Sequence, residues 1–245
     1  MDWGRAKSVL IVSFLLLNIV LGYQLYNSRW DKTASQNSAV IQEETLKLLD
    51  SRNIRIEVKK VPKDTPKLRS VYSREKINHD DPVQVESPFN ASTLLRHSPS
   101  KKAMEAAGIE KPGDYESDPA TSVKGEKRVY YQMYEGLPMF DMPLVLLEEN
   151  GKITGYKQAY VEVQSGVDVQ EQEVISAYTA LRSLAENTQE TNYAIVDIQL
   201  GYHGQKFNTE TQYMLPSWRI IRDNGDIYYV QAYTGAVEQP TEKDE

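Results

Sequence analysis

Residues 143–163 read PLVLLEENGKITGYKQAYVEV, and this stretch decides the fold. Two extended runs, Pro143–Glu149 and Lys152–Val163, flank Asn150-Gly151. Both turn residues accept φ > 0, as a two-residue type I′ turn demands, so the pattern predicts an antiparallel hairpin. It returns later in the chain. Asn150-Gly151-Lys152-Ile153 leads to Gln158-Ala159-Tyr160, and Asn224-Gly225-Asp226-Ile227 leads to Gln231-Ala232-Tyr233.

Each hairpin ends a similar run of elements. Ahead of the second, Asp168 and Glu171 suit a capping box opening a helix over residues 169–187, with Val174, Tyr178, Leu181 and Ala185 as its apolar stripe. Ala194, Val196, Ile198, Leu200 and Tyr202 alternate as a strand, followed by strands Met214–Arg222 and Asp226–Tyr233. Ahead of the first, Val40, Ile41, Leu48 and Leu49 predict a helix over 38–51, and Ile54, Ile56 and Val58 a short strand ending near Pro62. Residues 62–126, rich in Pro, Ser, Asp and Lys, read as an irregular insert. Within it, Thr93–Ala107 forms one helix or two broken near Pro99. Val129–Glu135 is a strand and Gly136-Leu137-Pro138 a turn. The fold class is α+β: two lobes, 38–165 and 166–240, each a helix packed on an antiparallel sheet, with 241–245 as a tail.

The N-terminus has a different solvent. Ser8–Tyr26 reads SVLIVSFLLLNIVLGYQLY without a charge. As a helix it spans roughly 28 Å, close to the ~30 Å hydrocarbon core. Arg5 and Lys7 precede it, so the positive-inside rule puts residues 1–7 in the cytoplasm, 8–26 in the cell membrane and the rest outside, after a spacer at 27–37. Leu21-Gly22-Tyr23-Gln24-Leu25 is a poor cleavage site, which favours a retained single-pass anchor over a signal peptide. Phe14, Asn18, Gly22 and Leu25 share one helical face. A polar residue beside a glycine is how such helices pair; a lone tolerated Asn is the plainer reading.

Several chemistries find no support. The 245-residue chain has no cysteine, which excludes disulfides, thiolate metal sites and cysteine nucleophiles. A formal charge of −7 argues against nucleic acid. His79, His97 and His203 are scattered among polar residues and read as surface histidines. Asp80-Asp81 and Glu148-Glu149 read as solvated runs, since neighbours in sequence do not face one another. Neither a nucleophile elbow nor a phosphate loop is present. Nothing assigns a catalytic, cofactor or metal residue. The stripe Tyr228–Tyr233 reads as sheet core more readily than as a binding edge.

The opening MDWGRAKSVLIVSFLLLNIVLGYQLY resembles the YycI (WalI) family of low-GC Gram-positive bacteria. The resemblance continues through Asn53-Ile54, through Tyr134-Glu135-Gly136-Leu137-Pro138-Met139-Phe140-Asp141, through Leu215-Pro216-Ser217-Trp218-Arg219-Ile220 and through Tyr229–Glu238. It implies a non-enzymatic regulator of the WalK/WalR (YycG/YycF) two-component system, which governs cell-wall metabolism. The implied partners are a YycH-like protein and the WalK sensor kinase, contacted partly through transmembrane helices. The closing segment also resembles the last strands of PepSY domains, which implies as an alternative an inhibitor or chaperone of an exported protease. An anchored cell-wall hydrolase is disfavoured for want of a nucleophile or metal site.

Overall fold

The computed structural model describes residues 7, 11–21, 34–95, 97–164, 170–204 and 211–238. The chain divides into two units, Met1–Glu44 and Thr45–Glu245. In the first, residues 11–21 are helical (α1), and their apolar side chains are exposed, Phe14 at 65%. Helix α2 (Ala34–Ser51) begins in this unit and ends in the second. Among the described residues no helix is long and apolar enough to cross a membrane. The expected span lies partly outside them, at 8–10 and 22–26.

The second unit is mixed α+β, mostly sheet. Its strands are β1 (Arg55–Ile56), β2 (Lys67–Leu68), β3 (Val71–Asn78), β4 (Val83–Asn90), β5 (Tyr115–Ser117), β6 (Lys127–Tyr134) and β7 (Leu137–Glu149). There follow β8 (Lys152–Val163), β9 (Gln172–Glu173), β10 (Ala194–Gly204), β11 (Thr211–Arg222), β12 (Ile227–Gln231) and β13 (Val237–Glu238). Helices α3 (His97–Ala106) and α4 (Ala177–Asn187) complete it.

The hairpin expected at Asn150-Gly151 is present. Asn150 (φ 52) and Gly151 (φ 77) join β7 to β8 with Glu149 opposite Lys152. The turn before β7 is tighter than the sequence implied. It uses Glu135 (φ 49) and Gly136 (φ 79), and Leu137-Pro138 already lies in the strand. The second Asn-Gly differs too: Gly225 alone has positive φ (86), and the loop is longer. Gly225 N–H donates to the Arg222 carbonyl (3.0 Å), and the Asp226 N–H donates to Asn224 Oδ1 (3.0 Å).

Separate lobes do not emerge. One eleven-stranded sheet runs β1-β10-β11-β3-β8-β7-β6-β5, with β12 and β13 beyond β11 and β4 beside β8. The joining strand is β3, which lies inside the segment expected to be irregular. Its residues 73–78 pair with β8 and its residues 71–74 with β11. Val71 and Ser73 are buried while Arg74 and Lys76 are exposed, so a strand with one wet face looked like polar loop.

Two of the hydrophobic clusters on this sheet lie under helices. Ala180, Leu181 and Leu184 of α4 cover Ile198, Leu200, Trp218, Ile220 and Val230. Leu49, Ile54, Val61 and Leu68 join that same cluster, although the sequence grouped them with the first half. Met104 of α3 and Ile109 cover Leu144, Leu146 and Ile153.

Three local expectations need correction. Helix α4 starts at Ala177 rather than 169, because Ser176 caps it: its Oγ accepts from Thr179 N–H at 3.1 Å, satisfying one orphan donor. Val174 is buried, but in extended chain before the helix; Asp168 lies outside the described residues. A bulge between Ile195 and Asp197 breaks the expected alternation and leaves Val196 41% exposed. Two helical segments do occupy this stretch, a 3-10 turn at Ala91–Leu95 and α3, but they separate ahead of Pro99, which sits in the first turn of α3. The first turn tolerates proline because its N–H would be unsatisfied anyway.

Candidate functional site

Strands β10, β11 and β12 turn Trp218, Ile220, Tyr228 and Val230 toward α4. Strand alternation sends Asp197, Gln199, His203, Arg219 and Tyr229 to the opposite face. There they meet Asp118, Tyr131, Phe140 and Asp141 from the other half of the chain.

Arg219, with no exposed side-chain surface, is the centre of this polar core. Its Nη1 donates to Asp118 Oδ2 (2.7 Å), and its Nη2 to Asp118 Oδ1 (3.1 Å), Asp197 Oδ2 (2.9 Å) and Gln199 Oε1 (3.0 Å). The guanidinium also lies 4.8 Å from the Phe140 ring centroid and 5.5 Å from that of Tyr131. Burial alone would raise the Asp118 carboxyl, but the Arg219 contacts outweigh it and hold the group below its ordinary value. General acid–base work needs a pKa near the working pH. A buried, depressed carboxylate locked to a guanidinium serves to clamp strands.

His203 is the second feature, and it is not the surface histidine the sequence suggested. Its side chain is 15% exposed and stacks on Tyr229 with ring centroids 3.7 Å apart. Nε2 lies 3.1 Å from Glu238 Oε2, tying β10 to β13. Nδ1 lies 2.9 Å from Asp141 Oδ1, an ion pair when the ring is protonated. Asp141 Oδ2 accepts from Gly204 N–H at 2.8 Å. Burial pulls the imidazole pKa down, but Asp141 and Glu238 outweigh it and the net shift is upward. A raised pKa stabilises the fold fully below the unfolded value of about 6.5, and that contribution is lost as pH rises through the folded value. His203→Gln should therefore lower the melting temperature most at mildly acidic pH. The gap to the parent protein should close as pH rises, when thermal melts are compared across a pH series. A gap independent of pH would show that the charged form contributes nothing.

A second buried arginine, Arg222, lies between the rings of Tyr193 (3.9 Å) and Tyr228 (4.2 Å) and pairs with Glu190. Glu148 also departs from the expected solvated run. It is buried and accepts from Arg128 Nε at 2.8 Å, while Glu149 is exposed. His79 is exposed. Among the described residues no group of His, Cys, Asp and Glu could hold a metal ion. Tyr228 and Val230 are buried between β11 and β13, as sheet core.

Of the expected helical face, Phe14 and Asn18 lie in α1, and Asn18 Nδ2 donates to the Phe14 carbonyl at 3.0 Å. Gly22 and Leu25 lie outside the described residues. Sequence reasoning missed Arg219, Asp118 and His203. One signal was there: an arginine set directly between Trp218 and Ile220 in the strand.

These features define an α+β protein whose interior charges tie strands together. The chain belongs to the YycI protein family, which matches over residues 33–233. The family is one of regulators of the WalK/WalR system and is not known as an enzyme family. No curated protein matches the chain. Among solved structures, an uncharacterized protein from Eubacterium rectale ATCC 33656 is similar at 12% identity, over 86% of this chain and 83% of that one. The TM-score between them is 0.36.

Proposed function

We propose that the chain is a non-enzymatic, single-pass membrane regulator that associates with a YycH-like protein and modulates the WalK sensor kinase. In this reading residues 1–7 are cytoplasmic and 8–26 span the cell membrane. The α+β domain is extracytoplasmic, its halves 38–165 and 166–240 sharing one sheet. The family match carries the reading. The uncharged run Ser8–Tyr26 supports the anchor. Such a regulator works by contacting one kinase state more favourably than the other.

The pairing face is Phe14, Asn18, Gly22 and Leu25. The Asn18 amide spends one N–H on the Phe14 carbonyl of its own helix, which leaves its second N–H and its Oδ1 for a facing helix. Asn18→Leu and Gly22→Leu should both weaken co-purification with the kinase and the YycH-like protein from membranes. The Asn18 contribution is about 0.6–2 kcal/mol, the range for interhelical polar contacts. Insertion should survive, since both changes make the helix more apolar. Should a chain with its span replaced by an unrelated apolar helix still bind and regulate normally, the helix is only a tether.

A further inference from the structure

Strand β3 presents Tyr72, Arg74 and Lys76 on the face opposite buried Val71 and Ser73. Beside it, Arg74 stands opposite Glu162 of β8 and Thr211 of β11, and Tyr72 opposite Tyr213. The two tyrosine rings lie 4.7 Å apart at one end of this surface. Next to them Arg74, Lys76, Glu162, Val163 and Gln164 line an open groove of about 350 Å³.

The charges in the groove are unbalanced. Glu162 is shared by Lys76 (3.3 Å) and Lys111 (3.4 Å). Arg74 makes no hydrogen bond or ion pair among the described residues, although it faces Glu162 in register. Asp114, the nearby acid, accepts from the Tyr160 hydroxyl at 2.9 Å. Glu162 thus has two lysines at ion-pair distance and Arg74 opposite it in the strand pairing, on a chain whose formal charge is −7. An exposed lysine–carboxylate pair is worth little in water, so an incoming anion can draw Lys76 away from Glu162. A guanidinium offers a planar fork that matches an oxyanion in two places, with the ammonium as a point charge beside it.

We propose that this groove binds a multiply charged oxyanion, a phosphate or a carboxylate, gripped by Arg74 and Lys76. The assignment is independent of the proposed kinase regulation. Titration calorimetry of the full chain in detergent micelles, at low salt, tests it with two probes, inorganic pyrophosphate and citrate. At least one should bind saturably; which one does distinguishes phosphate from carboxylate. Arg74→Ala and Lys76→Ala should each weaken that binding by about tenfold or more, with melting temperatures unchanged because both side chains are exposed. Glu162→Gln should tighten it by removing the competing charge, and added salt should weaken it. If neither probe binds saturably, or if both alanine variants bind as the parent does, the groove is not an anion site.

Discussion

Asp118→Ala should destabilise the folded domain by about 3–5 kcal/mol, the range for removing one partner of a buried ion pair. The cost comes from what remains. Arg219 is fully buried, and both Asp118 oxygens bond to it. Without them the guanidinium keeps only Asp197, which is 26% exposed, and Gln199. The nearest replacement surfaces are the Phe140 and Tyr131 rings, which cannot accept those donors as a carboxylate does. Asp118→Asn keeps the shape and one acceptor but loses the charge, and should cost less. Replacing both partners together by apolar residues of similar volume should recover much of the loss, because no unpaired charge is then buried. The pH dependence has a definite sign. Because the folded pKa of Asp118 is depressed, its contribution is present above the ordinary carboxylate range and lost as pH falls through the folded value. Urea unfolding of the full chain in micelles measures all three variants. An Asp118→Ala midpoint equal to the parent's would show that Arg219 is satisfied some other way.

Gly201→Ala should cost about 3 kcal/mol, at the upper end of the overpacking range. A Cβ built at Gly201 lies 2.5 Å from the Pro138 carbonyl oxygen and 2.6 Å from two carbons of the Phe140 ring. This is where β10 runs beside β7, with Tyr202 opposite Met139. The Phe140 ring could move, but the Pro138 oxygen belongs to the backbone of a paired strand. Moving the ring has its own cost, since Phe140 packs edge-on to Tyr131 (5.7 Å) and lies against Tyr229 and Arg219. Thermal unfolding by circular dichroism reads the effect. Phe140→Leu in the same chain should not rescue it, because the clash with the carbonyl remains. Parent-like melting of Gly201→Ala would mean that the strands separate there at little cost.

The two sites differ in how far they could be seen in advance. Gly201 lies within a strand whose alternation is visible, yet nothing near it names Pro138 as its neighbour. Arg219 stands out as a charge set between Trp218 and Ile220, but its partner is 101 residues away. His203 sat among polar neighbours and so looked wet, until β7 and β13 brought Asp141 and Glu238 against it. The Ala177 helix start was misplaced because Asp168 and Glu171 imitate a cap that Ser176 supplies.

The sequence by itself determined the hairpin at Asn150-Gly151, the strands and helices that show strong periodicity, the α+β class and the family. Each of these depends on residues a few positions apart, through φ > 0 at a turn, a period of two or 3.6, or a run of familiar residues. Only the tertiary structure decided that β3 joins the two halves, that Leu49–Leu68 packs beneath α4, and that Arg219 holds Asp118. Those outcomes depend on which faces lose water together and which buried charges find partners. Residues far apart in the chain settle both, and local patterns carry no trace of the choice.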